Sequence, residues 1–180
     1  AATKYVNRGL LNYNANRKVR IRFSIMPQVL SDVLEPKTSK IISRIQAVNE
    51  FYEAGYDVHL NYSPIVMYSN QEKDYKELFN LVDKYVDDKI KDEIVDDSIK
   101  NKVKAECIFL THNDKMHQFN VNNNTAGEHV LWQPKIQEYK VSQYGNVNIR
   151  YKYKLKRNYI DSFLYNHNKA LPWQRIRYIF

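Results

Sequence analysis

The densest concentration of residues able to do chemistry lies near the C-terminus, where Lys140, Arg150, Lys152, Lys154, Lys156 and Arg157 interleave with Tyr139, Tyr144, Tyr151 and Tyr153. Cations neutralise phosphates and flat aromatic rings stack on bases or wedge between them, which is the chemistry of a nucleic-acid contact. A two-faced strand with tyrosines inward and lysines outward has the same pattern, and both readings stay open. His112 and His117 flank Asn113-Asp114-Lys115-Met116 without the spacing or further ligands of a metal centre. They read as solvated loop histidines, and no metal site is expected. Cys107, between Glu106 and Ile108, reads as a buried apolar filler rather than a reactive thiol. The acidic residues Asp83, Asp87, Asp88, Asp92, Glu93, Asp96 and Asp97, mixed with Lys84, Lys89 and Lys91, read as a solvated helix face. Trp132 and Trp173 read as core or interface anchors. No catalytic residue is assigned.

These side chains need elements to hold them. Val19-Arg20-Ile21-Arg22-Phe23 alternates apolar and basic residues, which predicts a strand with one buried face. Ile41, Ile42, Ile45, Val48, Phe51 and Ala54 share one helical face, with Thr38 or Ser39 as cap and Gly55 at the stop. Val58–Tyr62 follows as a strand closed by Pro64. Tyr75, Leu78, Phe79, Val82, Tyr85 and Val86 mark a second helix, and Lys104–Leu110 another strand. The order βαβαβ implies a parallel sheet. After Thr111 the pattern changes. His112–Glu128 is polar, rich in asparagine and without periodicity, which predicts a loop. Ile136–Tyr144 and Val147–Tyr153 then form a hairpin about Gly145-Asn146, Asn158–Asn166 a short helix and Arg175–Phe180 a last strand.

No repeat or linker divides the chain, and 180 residues suit one domain. Its parts are βα units over 1–110, a loop over 111–135, and the hairpin with the C-terminal element over 136–180. Hydrophobic residues at 43 % and charged residues at 27 % support a packed core rather than disorder. The excess of 28 basic over 20 acidic residues gives a formal charge of +8, which suits a polyanionic partner. No apolar run approaches the ~20 residues of a membrane helix, so no membrane partner is expected. The start of the chain lacks a secretory apolar segment, which points to the cell interior (cytoplasm, nucleoid or nucleus) or to a virion. A single cysteine excludes an intrachain disulfide and also a cubane cluster held by three thiolates. The abundance of Tyr, Asn, Lys and Ile is a codon bias of AT-rich genomes, as in some large DNA viruses.

An ordered series of segments resembles the spore photoproduct lyase family of radical S-adenosylmethionine enzymes, which reverse a thymine dimer. Ala2-Thr3-Lys4 resembles the end of a barrel strand in that family, and Arg20-Ile21-Arg22-Phe23-Ser24-Ile25 its next strand. Leu34-Glu35-Pro36, the helix from Ser39, Glu53-Ala54-Gly55-Tyr56, Ser63-Pro64-Ile65 and Tyr75-Lys76-Glu77-Leu78-Phe79 follow at similar spacing. Tyr139-Lys140-Val141-Ser142-Gln143-Tyr144-Gly145 resembles the family's hairpin, and Tyr159-Ile160-Asp161-Ser162-Phe163 its last helix. The resemblance is best over 1–80 and 139–164 and begins in the middle of the family's barrel. The preceding portion, with the CxxxCxxC cluster motif and the hydrogen-donor cysteine, has no counterpart here.

The resemblance implies an α/β fold of parallel βα units from an incomplete TIM-type barrel, plus a C-terminal β-hairpin, short helix and final strand. It implies that Lys4 and Ser24 take the carboxylate of S-adenosylmethionine, and that Ser63 contacts its adenosine. The 4Fe-4S cluster would come only from a separate, cluster-bearing N-terminal half, the expected protein partner. At the hairpin tip Tyr144 matches a lesion-probing tyrosine, while Gln143 stands where arginine is expected; Lys140, Gln143, Tyr144, Arg150 and Lys152 are the implied DNA contacts. One functional reading is therefore the C-terminal half of a DNA-repair lyase, inactive as this chain alone. The other is a catalytically inactive structural, DNA-binding or protein-binding module, of a virus for instance, that keeps the fold without the chemistry.

Overall fold

The computed structural model describes residues 2–91, 103–141, 143–145 and 147–180. Asp92, Glu93, Asp96 and Asp97 of the acidic run, and Asn146 of the expected turn, lie outside the described residues. Strand β1 (Ala2–Thr3) leads through a 3-10 turn (Arg8–Asn12) to β2 (Arg20–Ile25). Helices α1 (Gln28–Leu34) and α2 (Ile41–Glu53) precede β3 (Asp57–Ile65). Helix α3 (Gln71–Tyr85) and the short α4 (Asp88–Lys91) precede β4 (Lys104–Phe109). These strands pair in parallel in the order β1-β2-β3-β4, as the alternating periodicity requires.

The alternation of each strand separates two chemistries. Ile21, Phe23, Val58, Leu60, Tyr62, Ala105 and Phe109 are buried and apolar. Phe23 meets Phe51 of α2 edge-on at 5.2 Å, and Tyr62 meets Phe79 of α3 at 5.6 Å, so this face carries the helices and the core. At the turn from α2 into β3, Gly55 has φ +83 and a Cβ there would lie 3.3 Å from Asn14 Oδ1, which accounts for glycine at the expected stop. Neither expected cap works as one. Lys40 begins α2 without a side-chain cap; Ser39 Oγ instead accepts the Val6 N–H at 3.0 Å, and Thr38 Oγ1 accepts from Arg44.

The second half departs from the sequence expectation in two places. The segment read as a loop contains β5 (Thr111–Asn113), α5 (Asp114–Asn122) and the single turn α6 (Glu128–Leu131). Helix α5 buries only His117 and Asn120, so no apolar stripe marks it in the sequence. Its start carries a polar signal: Asn113 caps it by accepting the Lys115 N–H at 2.8 Å. The expected hairpin is present as β6 (Gln137–Val141) and β7 (Val147–Tyr151), and β5 adds to it as a third antiparallel strand. The expected short helix is instead the 18-residue α7 (Tyr153–Ala170). Its buried residues Tyr159, Phe163 and His167 recur every fourth position, and one of the three is a histidine, which hides the stripe. Finally β8 (Ile176–Ile179) returns to the main sheet beside β4, also in parallel, giving the order β1-β2-β3-β4-β8.

Candidate functional site

The sheet face opposite the helices is polar. Ser24 of β2 lies opposite Asn61 of β3, and Asn61 opposite Glu106 of β4. Arg22 lies opposite His59, and Arg20 opposite Asp57. Glu106, 1 % exposed, gathers the charges: Arg22 Nε stands 3.2 Å away, Arg177 Nη1 3.1 Å and His59 Nδ1 3.6 Å. Burial works to raise the Glu106 pKa, but a hydrogen bond from Tyr178 and the Arg22 charge outweigh it and hold the carboxylate below its ordinary value. Burial depresses His59 despite the nearby Asp57 carboxylate.

Thr3 lies opposite Phe23, so Lys4 leaves β1 beside Ser24, where these parallel strands end. Such ends are where parallel α/β sheets place their ligands. The Lys4 ammonium forms an ion pair with Glu35 Oε1 at 2.6 Å and keeps 44 % of its side chain exposed. Behind it Glu35 meets the fully buried Arg44 at 3.0 Å. Arg44 in turn donates to the Ser24 and Ser39 carbonyls, each at 2.8 Å. Glu35 and Arg44 thus position the strand end that carries Ser24; sequence reasoning assigned them nothing. Ser63 follows Asn61 by two residues on β3 and is half-buried.

The hairpin presents Tyr144 at its turn, 83 % exposed, with Gln143 exposed beside it. Lys140 and Lys152 are exposed; Lys152 Nζ donates to the Lys135 carbonyl at 2.8 Å. Arg150 is paired across the strands with Glu138 at 2.9 Å. Tyr151 is inward and buried, its hydroxyl accepting the Met67 N–H at 2.9 Å, so the base of the hairpin is tied to the segment after β3. Between β7 and the start of α7 lies a cavity of about 460 Å³ lined by Arg150, Tyr153, Lys156 and Arg157 among others. The tyrosines therefore divide: Tyr151 and Tyr159 are core, while Tyr139, Tyr144 and Tyr153 face solvent.

Other sequence assignments are corrected or extended here. His112 and His117 are buried, not solvated, and meet at Glu128. Trp132 stacks on His117 with ring centres 4.0 Å apart, and Trp173 donates to Asp83 at 2.8 Å. Cys107 is fully buried and its thiol pKa is pushed up by burial, as befits a filler. No helix among the described residues is long and apolar enough to cross a membrane.

The family model for spore photoproduct lyase matches residues 1–180. The curated spore photoproduct lyase of Clostridium acetobutylicum is 29 % identical over 158 residues, covering 82 % of this chain and 46 % of that protein. That of Bacillus subtilis is 35 % identical over 74 residues, 41 % of this chain and 22 % of that protein. A solved spore photoproduct lyase variant with bound AdoMet and dinucleoside spore photoproduct superposes with a TM-score of 0.82 at 23 % identity, covering 99 % of this chain and 50 % of that one. The enzyme complexed with dinucleoside spore photoproduct superposes equally, with a TM-score of 0.82 and the same coverage. The chain spans at most about half the length of these relatives. With the family model matched from the first residue to the last, this chain belongs to the spore photoproduct lyase family.

Proposed function

We propose that this chain is the C-terminal half of a spore photoproduct lyase-type radical S-adenosylmethionine DNA-repair enzyme, and that it works with a cluster-bearing N-terminal half. The observation that carries the reading is the overlay of 99 % of this chain on half of a solved lyase. In this reading the parallel strands are half of a barrel, and S-adenosylmethionine, bound in the solved relative, lies at their C-terminal ends. Lys4 and Ser24 would take its carboxylate and Ser63 its adenosine.

The residues present fit the amino-acid end of that cofactor. Asn61, opposite Ser24 on the neighbouring strand, buries its Oδ1 without a hydrogen-bond partner. Buried polar atoms left without partners are uncommon in folded chains. Here Asn61 Oδ1 offers an acceptor for an ammonium and the adjacent Ser24 hydroxyl a donor for a carboxylate, while the exposed side of Lys4 supplies charge. A cubane cluster does not fit this chain. Its one thiol, Cys107, is fully buried, so cluster ligands belong to the other half. With a reduced cluster beside it, S-adenosylmethionine supplies the radical chemistry of the family. This chain's residues orient the cofactor, and the hairpin residues Lys140, Gln143, Tyr144, Arg150 and Lys152 face DNA.

A second reading, a binding module without chemistry, is favoured by one particular: Lys4 already has Glu35 as a carboxylate partner. One experiment separates the two. The chain is mixed anaerobically with the reconstituted N-terminal half of a curated relative, S-adenosylmethionine, dithionite and dinucleoside spore photoproduct. We expect 5′-deoxyadenosine and repaired dinucleotide that neither half forms alone. The double variant Lys4→Ala, Ser24→Ala should lose at least tenfold in rate while the two-chain complex persists. A stable complex with product at background would favour the binding module; failure of the halves to associate would overturn the pairing.

A further inference from the structure

We propose that His112, His117 and Glu128 form a Zn²⁺ site that ties the α5–α6 segment to the hairpin sheet. The three side chains come from three elements, β5, α5 and α6, and converge on one point. Glu128 Oε1 lies 2.9 Å from His112 Nε2 and 2.6 Å from His117 Nδ1, and the donor atoms all lie within 4.8 Å of one another. Two imidazole nitrogens and one carboxylate oxygen are a donor set that Zn²⁺ prefers, with water as the fourth ligand. Tetrahedral Zn²⁺ with bonds of about 2.0–2.1 Å separates its ligands by about 3.3 Å. Admitting the ion therefore requires the imidazole nitrogens, now 2.9 and 2.6 Å from the carboxylate oxygen and within 4.8 Å of each other, to settle at about 3.3 Å from it and from each other, a local side-chain adjustment.

The surroundings hold this triad for a ligand. Asn120 donates to Glu128 Oε2, which fixes the carboxylate and leaves Oε1 to face both imidazoles. Trp132 stacks on His117 at 4.0 Å and fixes the plane of that ring. Gly127, at φ +90, sets Glu128 in place; a Cβ there would come within 2.9 Å of the Leu34 side chain. The side chains of His112, His117 and Glu128 retain 7 %, 11 % and 10 % exposure, so an ion can enter from solvent. Burial alone would raise the Glu128 pKa, but hydrogen bonds from His117, Asn120 and His112 hold it below the ordinary carboxylate value. Because β5 pairs with β7, the ion would brace the base of the hairpin. This inference is independent of radical chemistry.

The test uses the tag-free full chain, freed of metal with a chelator and then dialysed against a small excess of Zn²⁺. Elemental analysis should find one Zn²⁺ per chain, and Co²⁺ in its place should show the visible bands of tetrahedral nitrogen–oxygen coordination. The melting temperature should rise with Zn²⁺ and fall back on chelation. Glu128→Gln and His117→Ala, checked for folding by circular dichroism, should lose the ion, and Asn120→Ala should bind it about 10–100-fold more weakly. If His117→Ala does not fold, Glu128→Gln, which preserves shape, carries the comparison. A wild-type chain that stays metal-free, or a folded Glu128→Gln chain that keeps stoichiometric Zn²⁺, would overturn the proposal.

Discussion

Arg44 shows how much of this site rests on side chains remote from it in sequence. It is fully buried, and its guanidinium joins Glu35, the Ser24 and Ser39 carbonyls and the Thr38 hydroxyl. Replacing it by methionine keeps the volume but strips those acceptors of their donor. Leaving Glu35 buried with only the half-exposed Lys4 should cost about 3–5 kcal/mol, read from urea denaturation. Lys4→Ala, at an exposed partner, should cost no more than about 1 kcal/mol. Equal losses in the two variants would contradict this division between a buried support and an exposed partner. Lys4, Ser24 and Ser63 are given a role only by the family's ordered segments. Arg44 sits in an amphipathic helix where any basic residue reads as surface, and its partners span residues 24 to 39. His112 and His117 were misread for a related reason: one is the middle residue of a three-residue strand and the other lies in a helix, so their spacing matches neither period, and Glu128 stands 16 residues from His112.

At the scale of elements, the hairpin makes a forecast separable by charge. Tyr144 at the turn is almost wholly exposed and has no core to stabilise. If it stacks on a base, Tyr144→Ala should weaken DNA binding by about 1–3 kcal/mol without altering the dependence on salt. Lys140→Ala with Lys152→Ala should weaken binding and lower the log–log salt slope by about one for each phosphate no longer neutralised. Arg150 already has Glu138, so its removal should change the slope less. Fluorescence anisotropy with damaged and undamaged duplex, at several salt concentrations and with the N-terminal half of a curated relative added, reads all three. A fall in melting temperature for Tyr144→Ala with unchanged affinity would instead mark the tyrosine as structural. The hairpin strands were legible because alternation and Gly145 signal them. Their third strand was not: β5 has three residues, too few for a period.

At the scale of the molecule, the helical side is an aromatic layer with a titratable member. His167 is unexposed between the rings of Phe79 and Phe163 and the edge of Tyr62. Its hydrogen-bonding neighbours are Gln174 and Asn168. Burial lowers its pKa further than these hydrogen bonds raise it. His59 on the polar face is lowered too, chiefly by burial. As pH falls below the unfolded value of about 6.5, the unfolded chain takes up protons that the folded chain refuses, so stability must fall. Each histidine contributes at most about 1.4 kcal/mol per pH unit in that window. His167→Gln, which keeps a hydrogen-bonding group, should flatten part of that slope in urea titrations between about pH 7 and 5. An unchanged slope would place the effect elsewhere. The parallel sheet was legible from its alternating periods, because burial of one strand face and one helix stripe writes itself into the sequence. The depth at which a histidine sits does not.

The main sheet has a further property. Its strands run β1-β2-β3-β4-β8, so order along the chain is also order across the sheet, and the first and last strands are its two margins. Among the described residues, no further strand pairs with either margin. Polypeptide joined ahead of Ala2 or behind Ile179 would thus emerge at a free margin, where it could lay down a neighbouring strand without threading past anything already folded. Such a layout reads like a line of text that can be extended at either end, and it suits a chain whose relatives are about twice as long.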